Sequence, residues 1–208
     1  MHRFPRRSRT RVLFAHVAAS LLCAAAAGAT PPLGLGEVER LERGDMVLLP
    51  HSSGGSDLAM RCAALIDAEP SQVWSAVRNC EHYDEFMPRM KRSVQESREG
   101  NTTLCRFEVS LPFPLRNLHS EVRSVEHDLP DGGFQRSWSL VRGDYERNRG
   151  SWTLLPWGAD GAHTLAIYEI DLKPNLLVPD FLVQRLQTRT LSKMFDALRR
   201  RVTPPEPH

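Results

Sequence analysis

The stretch 179-PDFLVQRLQTRTLSKMFDALRRRV-202 decides the fold. Leu182, Leu186, Leu191, Met194, Phe195 and Leu198 recur at helical spacing along it, which predicts a helix over 179–202 with one apolar stripe. At 1.5 Å per residue such a helix is about 36 Å long. A stripe of that length needs another layer to cover it. On a second face Arg185, Arg189 and Lys193 follow one another at i, i+4 and i+8. That basic stripe is either a solvated face or a contact for the anionic headgroups of a membrane.

The covering layer precedes the helix. Seven segments alternate apolar and polar residues with a period of two. The first, 57–68, runs through Leu58, Met60, Cys62 and Ala64. After it Pro70 sits where a first helical turn tolerates proline, and Val73, Trp74 and Val77 share a face. A second short helix over 80–87 stops at Pro88. Six more strand-like segments follow, over 90–97, 102–111, 115–127, 134–142, 150–157 and 163–173. Turn signals such as Asp131-Gly132-Gly133 are short, so neighbouring strands are expected to be antiparallel. The predicted fold is α+β: a curved seven-stranded antiparallel sheet wrapped around a long C-terminal helix. A strongly curved sheet around a helix leaves a space between the two.

The other end of the chain is of a different kind. Residues 1–11 hold five arginines (Arg3, Arg6, Arg7, Arg9, Arg11) and no acid, followed by the Ala-rich apolar run 12–29 with small residues at Ala27 and Ala29. This reads as a secretory signal peptide, 1–29, cleaved near Ala29; an uncleaved anchor is the alternative. The location expected is therefore periplasmic or secreted. Residues 30–56 read as a lead-in segment and linker, 57–202 as one domain, and 203–208 as a frayed tail.

Cleavage changes the charge. The full 208 residues carry 27 Lys+Arg against 25 Asp+Glu, a formal +2. Without the five arginines the balance is 22 against 25, or −3, and the basic footprint of a nucleic-acid-binding domain is gone. A composition of 41% hydrophobic and 25% charged residues also excludes a disordered chain and a polytopic membrane protein.

Motifs of catalysis are missing from the sequence. It contains no HExxH, no GxSxG, no phosphate-cradling glycine loop and no zinc spacing, so no metal or cofactor is expected. Glu81, His82, Asp84 and Glu85 crowd one short stretch and read as a solvated helix surface. His119 and His127 share a strand face without carboxylate partners evident beside them. Cys62, Cys80 and Cys105 read as small buried hydrophobes, although in an exported protein one pair could bridge.

Several stretches together point to a family. They are 68-AEPSQVWSAV-77 with 83-YDEFMP-88, then 111-LPFPLRN-117, then 150-GSWTLLP-156, Tyr168, 172-LKP-174 and 178-VPDFL-182. In this order they resemble the helix-grip families of the SRPBCC superfamily: START lipid-transfer domains with their polyketide cyclase/dehydrase and coenzyme-Q-binding relatives. The resemblance spans roughly 57–202 and implies a deep apolar cavity under the C-terminal helix. It implies binding of a lipid, a quinone or another hydrophobic small molecule, without implying catalysis. The inward residues either pack as a solid core or line that cavity. Phe107, Val109, Leu118, Trp138, Leu140, Trp152, Tyr168, Met194 and Leu198 are the lining the resemblance implies. Non-catalytic binding or transport is the first functional expectation. The alternatives are a cyclase- or dehydratase-like enzyme on a polyketide-type substrate, with Tyr168, Ser120 and Arg136 as its inward polar groups, and an interaction module like the ribosome-associated relatives.

Overall fold

The computed structural model describes residues 33–50, 59–176 and 180–203, with side chains of the last stretch from residue 189 onward. The expected signal peptide and the side chains of Leu182, Arg185 and Leu186 lie outside the described residues. In chain order the elements are α1 (Leu35–Glu42), β1 (Val47–Leu49), β2 (Ala59–Ile66), α2 (Pro70–Arg78), α3 (Tyr83–Phe86), β3 (Met90–Glu99), β4 (Thr102–Val109), β5 (Leu118–Asp128), β6 (Phe134–Gly143), β7 (Tyr145–Trp157), β8 (His163–Pro174) and α4 (Asp180–Val202). Pro70 opens α2 at its first turn, and the Glu69 backbone N–H donates to the Gln72 side chain at 3.1 Å, closing a capping box.

The strands form one open antiparallel sheet in the order β1-β2-β8-β7-β6-β5-β4-β3. The fold is α+β, a curved sheet gripping the long C-terminal helix, as expected. The strand count is corrected from seven to eight among the described residues. The added strand, β1, comes from the segment assigned to the lead-in, where it pairs with β2 from Val47↔Ala63 to Leu49↔Arg61.

The reason is that part of the sheet is apolar on both faces. On the concave face Cys62, Ala64, Ile66, Trp152, Leu154 and Ala166 pack with Val73, Trp74 and Val77 of α2 and with Leu191, Met194, Phe195 and Leu198 of α4. On the convex face Ala63, Leu155, Leu165 and Ile167 form a second core with Leu41 of α1 and Val47 and Leu49 of β1. Reading one parity of each strand finds the first core; the second lies on the opposite parity of β2, β7 and β8. Arg199 of α4 joins the two layers, donating to the Leu65 carbonyl at 3.1 Å and the Gly44 carbonyl at 3.0 Å.

The cysteines are also corrected. Cys80, just after α2, and Cys105 of β4 form a disulfide, with Cα atoms 6.5 Å apart, and among the described residues only Cys62 is a free buried thiol. A cross-link over a 25-residue separation is worth about 3–4 kcal/mol in the chain-entropy picture.

If 35–49 belongs to the folded unit, Leu41→Ala, which empties the centre of the convex core, destabilises the protein by about 2–5 kcal/mol in urea denaturation. Leu35→Ala, on the same helix but 86% exposed, changes stability by less than about 0.5 kcal/mol.

Candidate ligand cavity

α4 does not fill the concave face. Towards its C-terminus, Phe195 meets Trp152 edge-on at 5.7 Å between ring centres and Leu198 is fully buried, so that end is solid. Beyond Met194 and Leu191 the helix and sheet separate around a cavity of about 350 Å³. Met60 of β2, Phe107 and Val109 of β4, Leu118, Ser120, Val122 and Ser124 of β5 and Arg136 and Trp138 of β6 form one side of its wall. Asn148 and Trp152 of β7 and Tyr168, Ile170 and Leu172 of β8 continue it, and Tyr83 and Met87 close it from α3.

Seven of the nine residues named from the sequence line this space: Phe107, Val109, Leu118, Trp138, Trp152, Tyr168 and Met194. Leu198 does not, because it belongs to the solid end. Leu140 does not either; it is half-buried next to Val141, the extra residue where the β5–β6 register shifts between Glu121↔Arg142 and Val122↔Leu140. Tyr83, Asn148 and Tyr145 also line the cavity, beyond the lining that the resemblance implies. Tyr83 lies in the quoted 83–88 stretch, and Asn148 is on the inward parity that includes Trp152.

The wall is ordered by aromatic contacts. Trp152 and Tyr168 lie 4.7 Å apart between ring centres and Trp138 and Tyr168 5.7 Å. The Trp138 indole N–H donates to Asn148 Oδ1 at 3.1 Å, satisfying its polar edge. Gly150 makes room for that indole: a Cβ there would lie 2.5 Å from Trp138 Cζ2 and 2.2 Å from the Glu169 carbonyl oxygen. Burial raises the hydroxyl pKa of Tyr168, Tyr83 and Tyr145, the last to about 12. All three are neutral hydroxyls at neutral pH, able to donate a hydrogen bond and not to abstract a proton.

The mouth is bounded by Arg89, Leu111, Pro174 and Thr190. The Pro112–Leu115 turn beside it carries Phe113, 97% exposed, after which a cis peptide bond leads to Pro114. Asp144 fastens the far end of this turn. It accepts from Arg116 Nη2 at 2.9 Å and from the His119 backbone N–H at 2.8 Å, and its Oδ2 lies 3.2 Å from His119 Nδ1. These bonds, Arg116 first, hold the Asp144 carboxyl well below the usual carboxylate range. His119 therefore does have carboxylate neighbours, Asp144 and, at 3.8 Å, Glu108, contrary to the expectation from sequence. They lie at the rim and not in the cavity. The 81–85 cluster is spread over separate partners: His82 pairs with Glu85, Glu85 with Arg201, and Asp84 with Ser93.

The family model described as polyketide cyclase / dehydrase and lipid transport matches residues 66–199. The chain belongs to that family. The match takes in the last residue of β2, β3 to β8, both short helices and most of α4, and it leaves out α1, β1 and the rest of β2. Among solved structures, a STAR-related lipid transfer protein from Xanthomonas axonopodis is similar at 20% identity, with a TM-score of 0.62, over 74% of this chain and 96% of that one. The lipid transfer and protein localization domain of human StarD13 is similar at 13% identity and a TM-score of 0.62, over 81% and 94%. The Zhui aromatase/cyclase of a Streptomyces species is similar at 12% identity and a TM-score of 0.53, over 74% and 91%. At these identities the likeness is one of fold. No curated protein matches the chain in sequence.

Two outcomes follow from the wall and the rim. Gly150→Ala forces Trp138 and the backbone of β8 apart, costs about 1–3 kcal/mol, and shifts tryptophan emission. A carboxyl with a depressed folded pKa contributes stability that is full above its unfolded value near 3.8 and is lost as pH falls through the folded one. Asp144→Asn thus lowers the slope of unfolding free energy against pH below about pH 4, by up to about one proton.

Proposed function

We propose that this chain is a non-catalytic carrier of a lipid, quinone or other hydrophobic small molecule, acting after export. The observation that carries this reading is the unfilled space of about 350 Å³ between α4 and the sheet, within the size range of small-molecule sites. Membership of a family that takes in lipid transport supports it. Apolar contact alone supplies the affinity: at about 0.8 kcal/mol per buried CH₂, a sixteen-carbon tail gives roughly 13 kcal/mol gross before ordering costs.

The export half of the proposal rests on the arginine-rich start, the apolar run to Ala29 and the small residues before it. The Cys80–Cys105 disulfide supports it, since structural disulfides persist in oxidising compartments. Transient membrane contact through Arg185, Arg189 and Lys193 completes the proposal; Arg189 and Lys193 are exposed on α4, and Thr190 between them borders the cavity. Liposome co-sedimentation that is unchanged when Arg189 and Lys193 become glutamate removes this contact from the proposal.

Native mass spectrometry of protein purified from its own cell envelope tests the carrier reading. The expected spectrum carries a bound mass that releases into organic solvent, and emptied protein takes up lipid or quinone probes. Ser120→Trp, which places an indole in the cavity, is expected to cut uptake by about tenfold or more. A clean apo mass with no uptake of any probe sinks the carrier reading. The cyclase reading replaces it if a poly-carbonyl substrate is converted by wild type and not by Tyr168→Phe that still binds it.

A further inference from the structure

The cavity wall holds one buried cation that, among the described residues, the fold leaves without an ion pair. Arg136 is on the concave face of β6 between Phe134 and Trp138 and is only 3% exposed. Its Nη1 donates to the Val77 carbonyl at 2.9 Å and to the Tyr83 hydroxyl at 2.8 Å. Its Nη2 reaches only the Cys105 sulfur of the disulfide, at 3.3 Å. Its Nε is buried with no hydrogen-bond partner. All three acceptors are neutral, and a sulfur is a weak one.

The nearest candidate for a counter-charge is already engaged. Glu126 faces Arg136 across the β5–β6 ladder. Its carboxylate instead takes both ends of the Arg98 guanidinium at 2.9 and 3.0 Å, and Arg78 at 3.3 Å. That group of four residues sums to three positive charges and one negative. Among the described residues Arg136 makes no ion pair. A buried lysine relieves such a situation by losing its proton; an arginine does not. An unpaired buried charge is among the costliest features a fold can carry, and it persists where something else completes it.

We propose that the head of the bound molecule completes it: the ligand is a long-chain carboxylate whose head pairs with Arg136 while its tail lies against the apolar wall. Arg136 lines the cavity, so a head of opposite charge can meet it there. This rests on the carrier reading and adds the ligand's charge and the residue that selects it.

Dodecanoate and 1-dodecanol differ only at the head, so their affinities for the emptied full-length protein test the proposal by calorimetry. Wild type is expected to bind dodecanoate about tenfold or more tighter than dodecanol. Arg136→Gln brings that ratio to about one, and Arg136→Lys restores part of the preference. Because Arg136 also ties β6 to α2, a thermal melt accompanies each variant, and a second readout needs wild type alone. The carboxyl carbon of bound [1-¹³C]dodecanoate is expected to titrate below its free value. Equal affinity for the two probes, or a bound carboxyl that titrates at or above its free value, overturns the proposal and leaves the carrier reading standing. Failure to bind either probe, or any lipid or quinone, overturns the carrier reading and this inference with it.

Discussion

The edge-on contact of Phe195 with Trp152 governs how the rest of the molecule is arranged. It fixes the separation of α4 from the sheet at one end, where Phe195 and Leu198 are wholly buried with Leu154 and Val73. A straight helix over a curved sheet cannot keep that separation along its length. Towards Met194 and Leu191 the two layers diverge, and the side chains from β4 to β8 point into the gap. The cavity is thus the geometric remainder of a well-packed end.

Most of this was legible because the sheet alternates. Trp138, Trp152 and Tyr168 are inward by parity, and parity survives an error of a residue or two in strand bounds. Parity says nothing about where along the helix the filling stops, so Leu198, at helical spacing from Met194 and Phe195, reads as lining from the sequence and lies in the core. Leu140 failed for another reason: the extra residue at Val141 breaks the β5–β6 register, and a bulge has no apolar signature.

The convex core was present in the sequence and masked by the same habit of reading. Ala63 and Leu65 alternate with Cys62 and Ala64, and Leu165 and Ile167 with Thr164 and Ala166, so these segments are apolar at both parities. A strand apolar on both faces needs cover on both. Leu41, Val47 and Leu49 supply the second cover, which makes the segment before the matched family region a structural part of this sheet. Arg199 then couples both layers, since one guanidinium reaches the carbonyls of Leu65 in β2 and Gly44 beside α1.

The charges of the interior divide in a way that packing does not require. Glu126 could serve as the partner of Arg136, its neighbour across the ladder, and the sheet would then hold a self-contained pair. Instead the buried carboxylate is held by Arg98 and Arg78, which are themselves partly solvated. Val77, Tyr83 and Cys105 hold the Arg136 guanidinium in place without neutralising it. The disulfide contributes to this twice over: it ties the α2–α3 junction to β4, and it leaves Cys105 as a neutral sulfur where a free cysteine would have an ionisable thiol. Pinned by neutral groups against an apolar cavity, the cation keeps its charge and its direction, which is the condition a wall must meet to select a ligand by its head and not by its tail alone.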